Sequence, residues 1–249
     1  FRNPFTFLSD SFEERVSDNM ITWTIPVNKK HLQLPPGKYI STSKRKYLRT
    51  NQQLLIIGID VPRYIYRCHV NPGSSQLFIH YNQVIELYSN LPSEIKSFFR
   101  VRATAQDQGW KIEKKYVRDL GINHITKESY TKSIQHSKLI ICTYPETTFS
   151  DCVARDIPVI LMYPDVFWEL NDKMRDLYKI LRDAKIIFHN PKELSRHINE
   201  IWADPLKWWK SAEVKKSINI FKEKALNVDK NGILIWSKFL KGYSLNAQS

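Results

Sequence analysis

The chain has 249 residues, of which 42% are hydrophobic and 12% are aromatic. This is enough apolar material for one large or two small globular domains, and it excludes a disordered chain. Lysine and arginine outnumber aspartate and glutamate by 38 to 25, which gives a formal net charge of +13. The charge favours an anionic partner such as nucleic acid, a nucleotide or an acidic membrane surface, and the alternative is a soluble protein that is simply basic.

Three cysteines, Cys68, Cys142 and Cys152, form no CxxC pair. Two of them lie in apolar or helical contexts, which favours free core thiols in a reducing compartment and therefore a cytoplasmic location. No apolar run approaches the length that spans a bilayer, and no secretory segment opens the chain. The chain begins at Phe1 rather than Met, which is consistent with a fragment of a longer protein.

Residues 1–53 have little periodicity and several prolines, so we expect extended loops with short strands that act as a connector. From residue 54 the pattern changes to short apolar runs that alternate with amphipathic stretches. The runs predict strands at 54–59, 98–102, 122–125, 139–142, 158–162 and 185–188. The stretches predict helices at 76–88, 111–120, 130–135, 147–155, 171–183, 191–202, 205–225 and 233–239.

This alternation at crossover spacing predicts an α/β fold, a doubly wound parallel sheet of Rossmann-like type with a C-terminal helical extension. We assign residues 54–249 to that one domain. Strands covered by helices on both faces have continuous apolar sequences, and the run from Leu139 to Cys142 is of this kind.

Several catalytic classes lack their motifs. The chain contains no GxxxxGK[ST] loop, no GxGxxG, no GxSxG elbow and no HExxH, and we find no suitably placed DxD-like metal motif. The seven histidines are dispersed, and we interpret them, His80 included, as surface or helix-packing residues. His69 is the exception, since Arg63 and Arg67 precede it.

Polar side chains cluster after the predicted strands, where the loops of a parallel sheet emerge at one edge. Arginine forks and hydroxyls at helix starts suit a phosphate or carboxylate, which predicts an anion-binding cleft. The alternative is that the hydroxyls cap helices and the arginines form surface pairs. The cleft residues are Arg63, Arg67, Ser74, Ser75, Arg102, Asp107, Trp110, Thr143, Glu146, Thr147 and Thr148.

Two carboxylates flank the helix start at residue 147, namely Glu146 and Asp151. Either could act as a base or hold a sugar hydroxyl, and either could instead be a favourable helix-dipole charge. We therefore leave the catalytic residue unassigned, with Glu146, Asp151 and His69 as candidates. Trp168 and Glu169 follow the next strand, where a tryptophan could stack on a sugar or base, or bury the loop.

Several motifs together resemble a family of surface-carbohydrate transferases encoded in O-antigen clusters. They are Ser137-x-Leu-Ile-Ile-Cys-Thr-Tyr-x-x-Thr-Thr-Phe, Phe167-Trp-Glu-Leu170, His189-Asn-Pro191, Ile201-Trp-Ala-Asp-Pro-x-x-Trp-Trp209, Pro62-Arg-Tyr-x-Tyr-Arg67, Ser74-Ser75-Gln76, and Arg102 with Asp107-x-Gly-Trp110. The resemblance covers nearly the whole chain after residue 50. One departure is that Ala103-Thr-Ala105 replaces the Tyr-Pro-His of the family, which removes a histidine that could bind donor phosphate.

More distantly, the pattern is similar to GT-B glycosyltransferases and to glycerophosphotransferases of the teichoic-acid type, whose second Rossmann-like domain binds the activated donor. The resemblance implies that Thr147 and Thr148 contact donor phosphate, since those enzymes carry a Ser/Thr pair at the equivalent helix start. It also implies that residues 1–53 are either a connector or a remnant of an N-terminal acceptor domain.

These resemblances imply the donor-binding half of a GT-B-like glycosyltransferase, with a nucleotide sugar linked to CMP, UDP or GDP as donor. The acceptor would be a cell-surface polysaccharide or lipid-linked molecule. We expect no cofactor and no metal, and a peripheral location at the inner face of the cell membrane, where the basic charge meets anionic lipid. Nucleic acid is not the expected partner. The alternative function is a non-catalytic module that binds nucleotides or nucleic acid.

Overall fold

The protein is described by a computed structural model that covers residues 15–26, 28–37, 52–59, 61–64, 73, 75–103, 107–145, 147–168, 172–229 and 231–246. Cys68 and the remaining parts of the first 53 residues lie outside these ranges. Two short parallel strands, Met20–Thr22 (β1) and His31–Gln33 (β2), form a small sheet of their own. They match the expectation of short strands in this region.

The central sheet has five parallel strands in the order β4-β3-β5-β6-β7. The strands are Gln53–Ile57 (β3), Phe99–Arg102 (β4), Ser137–Cys142 (β5), Val159–Met162 (β6) and Ile187–Phe188 (β7). The parallel α/β sheet predicted from the sequence is confirmed. Its strand order reverses direction between β3 and β5, and the carboxyl ends of strands at such a switch point are where open α/β sheets bind ligands.

Helices cover both faces of the sheet and continue beyond it. They are Gln76–Asn90 (α1), Ser93–Lys96 (α2), Ile112–Leu120 (α3), Tyr130–His136 (α4), Thr147–Ala154 (α5), Arg175–Asp183 (α6), Pro191–Ile201 (α7), Pro205–Trp209 (α8), Ala212–Phe221 (α9) and Gly232–Asn246 (α10). A π-helical segment, Lys222–Leu226, extends α9. The C-terminal helical extension is therefore confirmed as well.

The strand residues alternate between two buried cores. Leu54 and Ile56 pack with α1, α3 and α7 on one face, whereas Leu55 and Ile57 pack with α4, α5, α6 and α9 on the other. Because both faces are covered, all four side chains are apolar, as the sequence pattern indicated. Cys142 and Cys152 are buried free thiols in the second core, as expected for core cysteines.

Several helix starts have the side-chain caps that fix their direction. Asn190 accepts hydrogen bonds from the backbone N–H groups of Lys192 and Glu193, and Pro191 occupies the first helical position of α7. Ser129 accepts a hydrogen bond from the Lys132 N–H at the start of α4. These helices run back from the carboxyl edge of the sheet, so the caps hold their first turns at that edge.

Two predicted elements are wrong. Residues 122–125 do not form a strand but a 3₁₀ turn, Ile122–His124, which begins after Gly121 at a φ of 92°. Ile125, which follows this turn, forms an isolated parallel bridge with Val101 of β4. The predicted helix 205–225 is broken because Ser211 has extended backbone, with ψ at 152°, so α8 and α9 are separate.

The described part of residues 15–37 contacts the C-terminal helices. Ile25 donates its N–H to the carbonyl oxygen of Lys224 at 3.0 Å, and Trp236 donates its indole N–H to the carbonyl oxygen of Pro35 at 2.7 Å. The assignment of residues 1–53 to a connector or domain remnant stays a prediction. Among the helices in the described ranges, none is both long and apolar enough to cross a membrane.

Candidate functional site

Thr143 links the two strands on either side of the switch point, β3 and β5. Its backbone N–H and its hydroxyl both donate to the carbonyl oxygen of Ile57, at 3.2 and 2.9 Å. Ile57 ends β3 between Arg102 of β4 and Cys142 of β5, its partners in register. The side chains that follow these three strands therefore begin from adjacent points of one edge. The Thr143 hydroxyl is buried and bonded to Ile57, so this geometry favours a structural role over the donor contact expected from the sequence.

His80 of α1 lies against the same corner. Its Nδ1 is 3.0 Å from the carbonyl oxygen of Thr143, and only 2% of the residue is exposed. Burial lowers the pKa of His80 to about 4, so the imidazole is neutral at neutral pH. A carbonyl oxygen can only accept, which places the single ring proton on Nδ1 and leaves a lone pair on Nε2. The rings of Phe167 and Trp168 flank the imidazole.

Arg63 joins the loop after β3 to the loop after β4. Its backbone N–H donates to the carbonyl oxygen of Gln108 at 2.9 Å, and its guanidinium lies 5.6 Å from the ring centroid of Trp110. Trp110 in turn donates its indole N–H to the carbonyl oxygen of Val61 and packs edge-on against Phe78. The predicted convergence of the Arg63 and Trp110 loops is thus present in the structure.

Asp107 shapes the second of these loops. One carboxylate oxygen accepts the backbone N–H groups of Gly109 and Lys111, at 3.0 and 2.9 Å. The hydrogen bond from Lys111 is the main cause of a lowered pKa for Asp107, which keeps this exposed carboxylate ionised. Gly109 has a φ of 94°, and a side chain there would meet Cβ of Arg63 at 3.2 Å. Asp107 therefore supports the turn that presents Trp110 to Arg63.

Arg102 ends β4 with its guanidinium 5.8 Å from the ring centroid of Tyr130, and it donates to the carbonyl oxygen of Ala103 at 3.4 Å. Its buried Nε has no hydrogen-bond partner among the described residues. Across the described ranges, neither Arg102 nor Arg63 forms an ion pair with a carboxylate. Two cationic forks at the ends of neighbouring strands thus remain available to an anion.

Asp151 is held inside the protein. Its carboxylate accepts hydrogen bonds from the Tyr130 hydroxyl at 2.9 Å and from Arg155 Nε at 3.1 Å, and 1% of the residue is exposed. Burial raises the pKa of Tyr130, so its hydroxyl stays protonated as the donor. This arrangement favours a structural role for Asp151, which positions Tyr130 beside Arg102, over a role as base.

Thr147 and Thr148 form the first turn of α5, directly after the switch-point strand. Both side chains are half-buried. In the part of the chain that the structure describes, neither hydroxyl has a hydrogen-bond partner. A helix start offers unsatisfied N–H groups and a favourable dipole for an anion, and the two hydroxyls add donors beside them. The alternative that they serve only as side-chain caps gains no support from this geometry.

Two more predicted residues have clear surroundings. Ser75 precedes α1 without a side-chain capping bond; instead, the Gln76 side chain accepts the N–H of Gly73 at 2.7 Å. Trp168 follows the 3₁₀ turn Asp165–Phe167 and is buried, and its indole N–H has no partner within the described ranges. Their contacts with a donor stay predictions.

The remaining candidates fall outside the described residues. They are Arg67, His69, Ser74, Glu146 and Glu169. Within the described residues, no group of three or more histidine, cysteine, aspartate or glutamate side chains could hold a metal ion. Metal-independent chemistry stays an expectation.

Sequence reasoning missed the role of His80 and of Tyr130 in this corner. A signal for His80 was present, because the buried stripe of α1 places a histidine among apolar positions. The stripe consists of Leu77, His80, Tyr81, Val84 and Leu87. A titratable ring in an apolar stripe needs a specific partner, here the Thr143 carbonyl.

A parallel α/β sheet with cationic and hydroxyl side chains at its switch point is typical of proteins that bind phosphate-containing ligands. A family model described as LIC12162 family transferase matches residues 3–240. The chain therefore belongs to the LIC12162 family of transferases, which confirms the prediction of an enzyme of the transferase class.

Among solved structures, the chain is similar to that of WaaG, a glycosyltransferase involved in lipopolysaccharide biosynthesis. The sequence identity is 14% and the TM-score is 0.47. The match covers 86% of this chain and 62% of the WaaG chain, so this chain spans less than two thirds of that protein. No curated protein sequence matches the chain.

Proposed function

We propose that this chain binds a nucleotide-activated sugar at the carboxyl edge of its sheet and transfers the sugar to a cell-surface polysaccharide or lipid-linked acceptor. Membership of a transferase family supports the reaction class. One observation carries the donor assignment. Two guanidinium groups and two hydroxyls, none of which has a carboxylate or hydrogen-bonding side-chain partner among the described residues, follow three adjacent strands at the switch point. They are Arg63, Arg102, Thr147 and Thr148.

The chemistry of glycosyl transfer fits these groups. As the bond from the sugar to the leaving phosphate breaks, negative charge develops on the phosphate oxygens. Preorganised donors aimed at those oxygens stabilise that charge, and they do so most strongly where water is excluded. Thr147 and Thr148 would donate from the helix start, while Arg63 and Arg102 would supply charge-assisted hydrogen bonds.

Trp110 restricts the Arg63 side chain in this proposal. Its ring already lies beside the Arg63 guanidinium, so it limits the positions that this flexible side chain adopts. Holding a cation in one place lowers the entropy cost of binding a phosphate. The proposal assigns no acceptor-binding residue. The candidates for the catalytic base are Glu146 and His69, which lie outside the described residues.

The location at the inner face of the cell membrane is also part of the proposal. A net charge of +13 supports it, because basic proteins are attracted to anionic lipid. The same charge favours one alternative from another class, a non-catalytic module that binds nucleotides or nucleic acid.

Binding measurements as a function of salt separate these functions. CMP, UDP, GDP and their sugar conjugates would be titrated by calorimetry against the protein, in parallel with single-stranded oligonucleotides, at about 50 and 200 mM salt. We expect saturable binding of one nucleotide sugar with a shallow salt dependence. Oligonucleotide binding with a steep salt slope, together with no saturation by any nucleotide sugar, would overturn the transferase proposal.

A further inference from the structure

Besides Nε of Arg102, two adjacent rings near the carboxyl edge carry buried nitrogen atoms that have no hydrogen-bond partner among the described residues. They are Nε2 of His80 and Nε1 of Trp168. The two residues are 2% and 8% exposed, and their rings lie 6.3 Å apart between centroids, nearly perpendicular to each other. Native proteins pair most buried polar atoms, so two unpaired ones in adjacent rings point to a missing partner.

The chemistry of the two atoms is complementary. The hydrogen bond from Nδ1 to the Thr143 carbonyl leaves His80 Nε2 as an acceptor, and burial keeps the ring neutral. The indole nitrogen of Trp168 can only donate. A hydroxyl can donate to the first and accept from the second. A phosphate or carboxylate cannot serve both, because an ionised oxygen has no proton to give to Nε2.

The position ties this pair to the site already described. Thr143 directly follows β5 at the switch point, and Trp168 comes after β6, the next strand of the sheet. The cationic and hydroxyl groups that suit a phosphate lie after β3, β4 and β5. A ligand whose phosphate occupies those groups would extend its neutral part along the same edge toward His80.

We propose that His80 Nε2 and Trp168 Nε1 together bind one hydroxyl group of the donor, which makes them a specificity-determining pair beside the anion site. This inference rests on the proposed function. Both atoms are covered in the structure, so the hydroxyl reaches them when the turn Asp165–Phe167 and the Trp168 ring shift. Val166 at the centre of that turn is 76% exposed, so its side chain does not oppose such a shift.

The test removes one partner of the contact at a time, either the nitrogen group of the protein or the hydroxyl of the ligand. Trp168→Phe keeps an aromatic ring but loses the N–H. His80→Asn keeps a short amide that can still donate to Thr143 from near the Nδ1 position, and it places no acceptor where Nε2 was. Trp202→Phe is the matched control, because Trp202 packs with Phe98 and Lys138 near the amino ends of β4 and β5. Affinities would be measured for CMP, UDP and GDP, for their 2′,3′-dideoxy forms, and for UDP-glucose, GDP-mannose and CMP-N-acetylneuraminate.

We expect Trp168→Phe and His80→Asn to weaken binding of the hydroxyl-bearing ligand by about 3- to 10-fold, the range for one net hydrogen bond. Neither change should weaken the analogue that lacks the hydroxyl, and Trp202→Phe should weaken neither. A loss already seen between ribo- and dideoxynucleotides identifies a ribose hydroxyl as the one bound. A loss confined to the sugar conjugates identifies a sugar hydroxyl. Equal losses for hydroxyl-bearing and hydroxyl-free ligands would overturn the inference.

A spectroscopic readout covers the case in which a variant does not fold. The seven tryptophans give separate indole N–H signals, and the signal missing from Trp168→Phe belongs to Trp168. That signal should shift when wild-type protein binds the hydroxyl-bearing ligand and stay in place with the hydroxyl-free one. If Trp168→Phe is unfolded, selective ¹⁵N labelling of tryptophan with the Phe167→Leu neighbour variant assigns the signal. Nucleotide binding without any such shift would refute the hydroxyl contact and leave the proposed function standing, whereas no nucleotide binding at all would refute the proposed function.

Discussion

Thr143 donates two hydrogen bonds to one acceptor, the carbonyl oxygen of Ile57, from its backbone N–H at 3.2 Å and from its hydroxyl at 2.9 Å. The carbonyl of Thr143 itself lies 3.0 Å from Nδ1 of His80. One residue thus connects β3, β5 and α1 at the point where the strand order reverses.

We predict that Thr143→Val destabilises the protein without weakening nucleotide binding. The hydroxyl is buried and already bonded to Ile57, so its loss should lower the free energy of unfolding by about 1 kcal/mol. Urea denaturation measures this loss, and Thr143→Ser, which keeps the hydroxyl, should retain more of the stability. A clear loss of nucleotide affinity in Thr143→Val at full stability would show instead that the hydroxyl contacts the donor.

Thr147 and Thr148 at the start of α5 should affect donor binding and not stability, the opposite of Thr143. Thr147→Ala combined with Thr148→Ala should abolish donor binding, a loss of at least about 100-fold, because two hydrogen bonds to a charged phosphate are removed. The fold should stay intact, since neither hydroxyl bonds to another described residue. Calorimetry checks the affinity and circular dichroism checks the fold.

The control for that double variant is Ser89→Ala with Ser97→Ala. These exposed hydroxyls donate to the carbonyl oxygens of Ile85 and Glu94, and Ser97 lies before β4, near the amino edge of the sheet. The control should bind nucleotide as the wild type does. Unchanged affinity in the threonine variant would reject the phosphate contact.

The fold could be predicted because local pattern and burial agree over most of the chain. The apolar run that became β5 sits in the centre of the sheet, and centre strands have the least ambiguous sequences. The strand prediction for residues 122–125 was wrong because a run with two isoleucines resembles a strand. Gly121, with its positive φ, starts a tight turn there instead. Ser211 ended a helix through its backbone conformation, which periodicity does not report.

The site could be predicted only as a set of loops. The order of polar residues after strands was sufficient to place Arg63 near Trp110, because parallel strands bring their loops to one edge. Sequence alone could not show that Asp151 is buried between Tyr130 and Arg155, since that depends on how two helices pack. The same limit concealed His80, whose partner is 63 residues away in the chain.

The two guanidinium groups should contribute separately to phosphate binding. Arg63→Gln and Arg102→Gln should each weaken nucleotide binding by about 1.5–3 kcal/mol if each group makes a charge-assisted hydrogen bond. Arg118→Gln changes the charge equally but removes an exposed ion pair with Asp119, so it serves as control. Equal small losses in all three variants would indicate a general charge effect and contradict a specific contact.

Gly109 should be required for the position of Arg63. Gly109→Ala forces a non-glycine residue into a φ of 94° and places its Cβ at 3.2 Å from Cβ of Arg63. The backbone strain alone should cost about 1–2 kcal/mol of folding free energy. Gly121→Ala is the matched control, because Gly121 has a φ of 92° but no atom within 4 Å of an added Cβ. Only Gly109→Ala should weaken nucleotide binding in addition to stability, and equal effects of both variants on binding would contradict the role of this contact.

His80 should make the stability of the protein depend on pH. Its pKa is about 4 in the folded state and 6.5 in the reference state, since burial disfavours the charged ring. Between these values the unfolded chain binds a proton that the folded chain does not, so stability falls as the pH is lowered from about 6.5 to 4 and is complete above 6.5. A shift of this size corresponds to about 3 kcal/mol of folding free energy.

The experiment compares the wild type with His80→Gln. This comparison is needed because His197, which is also buried with a lowered pKa, contributes to the same pH dependence of stability. Urea denaturation from pH 4 to 7.5 should show a shallower slope in that variant than in the wild type. If His80→Gln and the wild type lose stability in parallel, the ring is not buried in its neutral form at the switch point.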